Sequence, residues 1–363
     1  MSGRPTWAEV DLGAFRSNVD AVARMLPERS RLIVVLKANA YGHGAVAMAR
    51  ACNHDRVAML GVALLEEALE LRAAGITLPI LVFGPLMREQ IIVATEENIV
   101  AGVVGPEELA YACDVARERD VAVHLKLDSG MGRMGVVESE LPSAIELIRG
   151  APRLRLDAIY THYANAGDPL DPFTQTQTES FQRMLAILRE AGIDAPAHHA
   201  ANSAATMRGF VAPGDYARAG IVLYGAAPVD GGEALLPVLR WRTEIVRLKT
   251  LPPGHGIGYG TTFHTARESR IATLPVGYAD GYSRLLSNNA DVLVRGKRAP
   301  VVGRVSMDLV TIDVTDIPDA ALGDEAILLG DDITAEEHAA RTSTIAYEVF
   351  CRISARVPRI YKS

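Results

Sequence analysis

Short apolar segments alternate with amphipathic segments through the first part of the chain. Eight of the apolar segments are IVVL, MLGVA, ILVFG, NIVAGVV, VAVHLKL, LRLDAIYTH, APAHHA and YARAGIVL. Nearly continuous apolar runs of this length are typical of parallel strands buried on both faces. With helices between them, they predict an eight-stranded β/α (TIM-like) barrel. A doubly wound open sheet is the alternative, but no GxGxxG motif follows the first strand.

The pattern changes near Gly231 and Gly232. TEIVRLKTL, SRIATLPVGY, ADVLVRGKRAPVVGRV and EAILLG read as strands joined by turns, with little helix before Thr344–Phe350. VLVRGKRAPVVGRV predicts a hairpin that turns at Gly296 and Lys297. The later part of the chain is therefore predicted to be mainly β.

The change of pattern predicts two domains in a chain of 363 residues. We place the barrel at residues 13–231 and a mainly β C-terminal domain at residues 232–363. The opening TWAEVDL predicts a strand within residues 1–12 that belongs to the C-terminal domain.

Composition indicates an ordinary soluble enzyme: 49% of the residues are hydrophobic, 22% are charged and the formal net charge is -7. This balance gives no support to a nucleic-acid or membrane partner. Cys52, Cys113 and Cys351 form no CxxC motif and fit reduced, buried thiols. No apolar run resembles a secretory signal or a membrane span. We expect a cytoplasmic protein without a metal site.

Unusual polar residues fall at the ends of the predicted barrel strands, where β/α barrels carry their reactive groups. The stretch Val34 to Ala45, VVLKANAYGHGA, places Lys37 where the first strand stops. A lysine that burial removes from water has a lowered pKa and becomes nucleophilic; one that reaches solvent is an ordinary surface residue. Further residues at strand ends are Lys126, Asp128, Arg133, His162, His199, Asn202, Ser203, Arg218, Gly220, Ile221 and Tyr224.

The ends of the seventh and eighth strands predict an anion site. Ser203 and the main-chain N–H groups of Gly220 and Ile221 would lie where barrels of this kind bind phosphate. A phosphate site that faces a desolvated lysine indicates pyridoxal 5'-phosphate (PLP) bound to Lys37 as a Schiff base. The alternative for Ser203 is a simple helix N-cap.

Nine motifs, in order along the chain, carry a resemblance to a known family. They are VVLKANAYGHGA, KLDSGMGRMGV, IYTHYANAGD, HHAANSAAT, ARAGIVLYG, GIGYGTTF, LPVGYADGYSR, VVGRVSMD and YEVFCRIS. From TWAEVDL to VPRIY the chain resembles alanine racemase, a fold-type III PLP enzyme. One departure is Ser306, where many members have cysteine. The resemblance implies interconversion of L-alanine and D-alanine, with D-alanine supplied for peptidoglycan.

The resemblance implies roles for several barrel residues. Lys37 matches the lysine that holds the cofactor covalently, and Arg218 matches the arginine that faces the pyridine nitrogen. His199 is similar to the residue that supports Arg218, and His162 to the histidine between Arg218 and the catalytic tyrosine. The implied cofactor-binding residues are Lys37, Tyr41, Asn202, Ser203, Arg218, Gly220, Ile221 and Tyr347.

Further implied roles concern the substrate and a second subunit. Tyr259 matches the catalytic tyrosine, while Arg133 and the main chain at Met307 match substrate-carboxylate contacts. The family forms a head-to-tail homodimer, so Tyr259 and Met307 would come from the partner chain. Lys126 matches a lysine that many members carbamylate, the alternative being a direct contact with Asp128 or another carboxylate. The expected substrate entrance includes Tyr278, Asp280, Arg284 and Arg304.

The chemistry of racemisation agrees with these roles. A proton must leave one face of a planar carbon and another must reach the opposite face, so two bases are expected. Lys37 serves one face and Tyr259 the other. A phenol with a pKa near ~10 needs cationic or hydrogen-bonding help, for which His162 and Arg218 are the candidates. Arg218 cannot accept a proton, so the pyridine ring stays neutral and rapid reprotonation is favoured.

Other functions remain open at this stage. A serine or broad-specificity racemase is the nearest alternative, because one hydroxyl gives little discrimination in an apolar pocket. A fold-type III decarboxylase would carry an acidic partner for the pyridine nitrogen and a catalytic cysteine motif, against which Arg218 and the isolated Cys351 argue. A non-enzymatic PLP carrier would consist of the barrel alone, without the domain that contains Tyr259.

Overall fold

The computed structural model describes residues 3–229, 235–330 and 332–363. The chain divides into two compact units. One contains Met1–Phe15, Tyr41–Gly44 and Leu236–Ser363, and the other contains Arg16–Ala40 and Ala45–Leu235. The predicted border between residues 231 and 232 lies outside the described residues and stays a prediction.

The second unit is an eight-stranded parallel barrel, as the sequence predicts. After an N-terminal strand β1 (Thr6–Asp11), the barrel strands are β2 (Arg31–Val35), β3 (Val57–Val62), β4 (Ile80–Val82), β5 (Ile99–Val103), β6 (Val121–Lys126), β7 (Leu154–Tyr160), β8 (His198–His199) and β9 (Tyr216–Ala219). Their order is β8-β7-β6-β5-β4-β3-β2-β9. The Arg218 N–H donates to the Ala201 carbonyl at 3.0 Å, which nearly closes the ring.

Helices connect the barrel strands. They are α1 (Leu12–Met25), α2 (Lys37–Tyr41), α3 (Ala45–Ala51), α4 (Leu65–Ala73), α5 (Arg88–Glu96), α6 (Pro106–Val115), α7 (Leu141–Arg149), α8 (Phe173–Glu190) and α9 (Ser203–Met207). One interior layer consists of Ile33, Met59, Leu81 and Val100, one residue from each of four neighbouring strands β2 to β5. The barrel interior is therefore a packed apolar core that leaves the strand ends for chemistry.

The first unit is mainly β. After β1 it contains β10 (Leu239–Glu244), β11 (Arg247–Leu251), β12 (Gly256–Ile257), β13 (Phe263–His264), β14 (Ser269–Leu274), β15 (Asp291–Val294), β16 (Lys297–Pro300), β17 (Val310–Asp313), β18 (Glu325–Leu329) and β19 (Arg359–Lys362), with helices α10 (Ala335–Thr342) and α11 (Ala346–Arg352). Its sheets have the orders β16-β15-β18-β10-β1-β19, β11-β14-β17 and β12-β13. β1 pairs antiparallel with β10 and parallel with β19.

Three expectations from the sequence need correction. The hairpin turns at Arg295 and Gly296, one residue earlier than predicted, because Val294 pairs with Lys297 and both turn residues have positive φ (50° and 73°). Helix α10 lies where little helix was expected. Cys351 is exposed, although Cys52 and Cys113 are buried as predicted.

No helix among the described residues is both long enough and apolar enough to cross a membrane.

Candidate active site

Lys37 begins a left-handed helical turn directly after β2. Ala38, Asn39 and Ala40 each have φ of 53° and ψ near 50°. This conformation places Cβ close to the following carbonyl oxygen and is strained in residues other than glycine. The Ala40 N–H donates to the Leu36 carbonyl at 2.7 Å within the turn. Two side-chain hydrogen bonds also hold it: Ala38 N–H donates to Glu67 Oε1 at 2.6 Å, and Asn39 Oδ1 accepts the N–H of Ala45 at 2.7 Å.

The expectation that Lys37 is buried at the strand end is wrong for the single chain. β2 ends at Val35, the next residue Leu36 is fully buried, and the turn then carries Lys37 and the two residues after it to exposed positions. Lys37 is exposed because of this left-handed turn, and the prediction of a buried lysine assumed that the strand itself ended at Lys37.

Arg218 is the buried centre of the barrel's strand-end site. Only 5% of it is exposed. One guanidinium nitrogen donates to His199 Nδ1 at 2.6 Å and to the His199 carbonyl at 2.9 Å. The other donates to His162 Nδ1 at 2.9 Å and to the carbonyls of Thr161 and Ala200, both at 2.8 Å. All these partners are uncharged acceptors, and Arg218 has no carboxylate partner among the described residues.

These bonds determine the protonation of two histidines. A guanidinium only donates, so Nδ1 of His162 and Nδ1 of His199 must both accept, and each neutral ring carries its proton on Nε2. Burial, followed by the charge of Arg218, holds the pKa of both histidines well below the usual value. Burial lowers the pKa of Arg218 to about 10, which still leaves it charged at neutral pH.

His124 extends this hydrogen-bonded chain into the barrel. His199 Nε2 lies 2.9 Å from His124 Nδ1, and since His199 carries its proton there, His199 donates. Tyr160 stacks on the His199 ring at 4.5 Å, with 11° between the planes. The sequence analysis missed His124; its only sequence signal is a histidine at an interior position of VAVHLKL.

Ser203 and Gly220 meet at the ends of β8 and β9. The Gly220 N–H donates to Ser203 Oγ at 2.9 Å, and Ile221 follows in a short 3-10 turn. The helix N-cap is Asn202, whose side chain accepts the N–H of Ala205 at 3.0 Å. The interpretation of Ser203 as an N-cap is therefore wrong. Its hydroxyl instead accepts a hydrogen bond that joins the segment after β8 to the segment after β9.

Lys126 is buried at the end of β6 without a carboxylate partner among the described residues. Burial first, and then the cations of Arg133 and Arg218, lower its pKa to about 8. The carboxylate of Asp128 instead accepts three N–H groups of the loop at residues 130–133. The geometry thus disfavours the predicted alternative of a Lys126–Asp128 contact.

The predicted residues of the mainly β unit lie on neighbouring loops of that unit. Tyr259 is 74% exposed in a 3-10 turn between Gly258 and Gly260, which have φ of 71° and 70°. A Cβ atom on Gly258 would lie 3.3 Å from the Arg304 nitrogen, so these two segments pack closely. This close approach explains the glycine beside Tyr259.

A second pair of loops brings Tyr278 beside Met307. The Tyr278 N–H donates to the Ser306 carbonyl and the Ala279 N–H donates to the Met307 carbonyl, both at 3.0 Å. The turn that contains Arg284 lies near this pair of loops, because the Val305 N–H, two residues before Met307, donates to Ser287 Oγ at 3.0 Å. Arg284 itself is exposed.

Tyr41 and Tyr347, both predicted to bind the cofactor, are neighbours within this unit. Their ring centroids are 5.9 Å apart. Burial raises the pKa of each, so both phenols are neutral hydrogen-bond donors at neutral pH.

Asp280 does not belong to a substrate entrance. Its side chain is fully buried. Arg4 donates to both carboxylate oxygens, at 2.7 and 2.6 Å, and the Gly277 N–H donates to Oδ2 at 3.0 Å. Asp280 therefore anchors the loop that carries Tyr278, and the expectation that it lines the entrance is wrong.

The whole chain is similar to known alanine racemases. Residues 10–228 match the family described as "Alanine racemase, N-terminal domain", and residues 238–361 match "Alanine racemase, C-terminal domain". The alanine racemase of Symbiobacterium thermophilum is 44% identical over 371 residues, which cover 99% of this chain and 97% of that protein. That of Halothermothrix orenii is 42% identical over 370 residues, with the same two coverages of 99% and 97%.

Solved structures show the same likeness. The alanine racemase of Streptomyces lavendulae superposes with a TM-score of 0.92 at 36% identity, covering 100% of this chain and 98% of that one. The Bacillus anthracis enzyme with bound L-Ala-P gives a TM-score of 0.92 at 38% identity, covering 100% and 96%.

Proposed function

Because the chain belongs to the alanine racemase family and is an alanine racemase, an isomerase, we propose that it uses PLP and two bases to interconvert L-alanine and D-alanine. Lys37 is the base on one face of the substrate carbon, and Tyr259 of the partner subunit is the base on the other. The observation that carries this proposal is the buried Arg218, which is bonded to His162 and His199 and has no carboxylate partner in the part of the chain that the structure describes.

The residues present suit PLP. The Ser203 hydroxyl and the Gly220 N–H, which donates to it at 2.9 Å, lie together at the ends of β8 and β9, and a hydroxyl with main-chain N–H groups at this place in a barrel would suit a phosphate. When bound, PLP withdraws electrons from the substrate Cα and makes its proton acidic. The residues that would hold the cofactor are Lys37, Tyr41, Asn202, Ser203, Arg218, Gly220, Ile221 and Tyr347.

Arg218 would face the pyridine nitrogen of the cofactor. Because a guanidinium only donates hydrogen bonds, it would leave that nitrogen without a proton. The five acceptors around it keep the guanidinium in place. Arg218 would thereby favour return of a proton to Cα over side reactions. In a decarboxylase, an acidic residue in place of Arg218 would keep the pyridine nitrogen protonated, and this preference for returning the proton to Cα would be lost.

The two bases act from opposite faces. The Lys37 amine removes or returns the proton on one face, and the Tyr259 oxygen does so on the other. Only the phenolate form of a tyrosine can accept a proton from Cα, and this form is scarce at neutral pH when the phenol has its ordinary pKa near ~10, so a nearby cation must favour it. Arg218, with neutral His162 bonded to it, supplies that positive charge.

Arg133 and the main chain at Met307 bind the substrate carboxylate, and Lys126 is carbamylated. Only a neutral amine reacts with carbon dioxide, losing one proton as the N–C bond forms. A pKa of about 8 makes a substantial fraction of Lys126 neutral near pH 8. The new carboxylate would accept a hydrogen bond from Arg133 and steady it.

A head-to-tail homodimer would complete two shared sites. Large apolar side chains stay exposed in the mainly β unit, including Tyr259 (74%), Met307 (52%), Leu285 (63%) and Leu309 (46%). Exposed apolar surface of this kind is typical of interaction sites. Tyr278, Arg284 and Arg304 would line the substrate entrance. The enzyme would act in the cytoplasm and supply D-alanine for peptidoglycan.

Incubation with L-alanine in heavy water tests the reaction. Loss of optical rotation together with deuterium at Cα supports racemisation by proton removal and return at that carbon. Deuterium uptake with retained rotation contradicts it, and release of carbon dioxide indicates the decarboxylase. L-Serine in parallel measures substrate breadth, because a serine or broad-specificity racemase is the second candidate.

A further inference from the structure

A carboxylate outside the residues discussed as the site holds the turn that carries Lys37. Glu67 is the third residue of α4. Its Oε2 accepts the N–H groups of Ala63 at 2.8 Å and Leu64 at 3.2 Å, at the start of that helix. Its Oε1 accepts the N–H of Ala38, the residue after Lys37, at 2.6 Å. One carboxylate therefore joins the helix start after β3 to the left-handed turn after β2.

Two other helix starts in the barrel show that capping needs only one oxygen. At α5, Gln90 Oε1 accepts the Met87 N–H at 2.9 Å. Before α7, Glu140 Oε2 accepts the Val137 N–H at 2.9 Å. Gln90 has a single side-chain oxygen, and of the two glutamates Glu67 is the one whose second oxygen accepts an N–H from another segment. The bond to the turn is thus additional to the cap.

The turn needs external support, because its consecutive non-glycine residues have positive φ. Asn39 supports the far end through its bond to the Ala45 N–H. Glu67 supports the end next to Lys37, where a charge-assisted bond of 2.6 Å is among the strongest available to a main-chain N–H.

We propose that Glu67 is a positioning residue for Lys37, whose turn it holds so that the lysine amine stays where proton transfer requires it. This inference rests on the proposed role of Lys37 as one of the two bases. A displacement of a reacting group by ~1 Å can lower a rate by ~10²-fold. Glu67 would therefore affect the reaction without touching the substrate.

Glu67→Gln separates the two roles of the side chain. An amide has one oxygen, and the two N–H groups at the helix start retain it, so the NH₂ group faces the Ala38 N–H and that bond is lost. We expect kcat to fall roughly 10- to 100-fold with little change in KM for L-alanine. In the full-length protein, hydrogen exchange of the Ala38 amide should be about tenfold faster or more. Exchange at Ala63 and Leu64 should be unchanged.

Glu140→Gln is the matched control, because Glu140 caps the short 3-10 turn Glu138–Glu140 in the same barrel without reaching the turn of Lys37. It should leave kcat and the Ala38 exchange rate at the wild-type values. If Glu67→Gln behaves like this control, or lowers kcat without faster Ala38 exchange, the inference is wrong. If that variant does not fold, Glu67→Asp, which retains the charge but is one methylene shorter, replaces it, with the same readouts and the same expected directions.

The exchange measurement also separates this inference from the proposed function. Exchange at Ala38 depends on the hydrogen bond and not on turnover. A chain that failed the heavy-water test would contradict the two-base proposal, while faster exchange in Glu67→Gln would still support the role of Glu67 in holding the turn.

Discussion

In the barrel site, hydrogen bonds to one arginine determine which nitrogen of each histidine carries the proton. Arg218 can only donate, so His162 and His199 must accept at Nδ1, and His199 must in turn donate to His124. The tautomers of three histidines thus follow from one guanidinium. The same group keeps positive charge in the site at neutral pH, where the histidines stay neutral because burial lowers their pKa.

Lys126 provides a prediction at this scale. Its pKa of about 8 means that the neutral amine becomes more abundant as pH rises through 8. With ¹³C-bicarbonate, we expect a carbamate carbon signal in NMR that grows from pH 7 to pH 9. Lys126→Met should remove the signal, whereas Lys249→Met, at an exposed lysine, should retain it. A signal equally strong in both variants would contradict carbamylation of Lys126.

Short loops and strand ends, more than the long elements, place the candidate residues. The left-handed turn after β2 determines the exposure of Lys37, and the pairing of the loops at Tyr278 and Met307 places both side chains at one end of the mainly β unit. Each loop has a carboxylate as its anchor: Glu67 for the turn and Asp280 for the Tyr278 loop.

Asp280→Asn tests the second anchor. The carboxylate is fully buried and bonded to both guanidinium nitrogens of Arg4, so its loss leaves a poorly paired cation. We expect the free energy of unfolding to fall by roughly 2–4 kcal/mol in urea denaturation. Asp316→Asn removes an exposed ion pair with Arg267, which does not contact Asp280, and should cost less than about 1 kcal/mol. Equal losses in the two variants would contradict an anchoring role for Asp280.

At the scale of the whole molecule, the proposed reaction needs two chains. Mixing inactive Lys37→Ala and Tyr259→Phe proteins after reversible subunit dissociation should restore about a quarter of wild-type activity. Half of the dimers in a random mixture are mixed, and each mixed dimer has one intact site. The racemisation rate measures this directly. No recovery, with mixed dimers shown by mass, would mean that Tyr259 serves its own subunit.

Acid stability is also a property of the whole fold, because both units bury neutral histidines. Burial lowers the pKa of His124 and of His338 to about 4. Below the unfolded-state pKa of about 6.5 the unfolded chain binds protons that the folded chain does not, so stability is lost as pH falls from 6.5 towards 4.

His338→Gln should reduce that loss. Between pH 7 and pH 4.5 each such histidine costs roughly 2 kcal/mol, and the variant should show a correspondingly smaller difference in unfolding free energy between the two pH values. His255→Gln, at an exposed histidine, should retain the wild-type difference. An unchanged difference in His338→Gln would mean that His338 is not a source of the acid sensitivity.

The pattern of apolar residues along the sequence was sufficient to predict much of the architecture. The eight apolar runs predict the barrel strands because a strand buried on both faces must be apolar along its length, whatever its neighbours are. Family motifs identify Lys37, Arg218 and Tyr259 as candidates. The pattern predicted neither α10 nor the correct hairpin turn residues, since short helices and turns depend on pairing with distant strands.

By itself, then, the sequence determined the barrel, the mainly β partner unit and the alanine racemase family, because apolar periodicity and motif order are properties of consecutive residues. Only the tertiary structure decided that Lys37 is exposed on a strained turn, that Asp280 is a buried anchor, that His124 is bonded to His199 and that Glu67 is bonded to the turn of Lys37. Each of these depends on hydrogen bonds or burial between residues far apart in the chain, which no local pattern encodes.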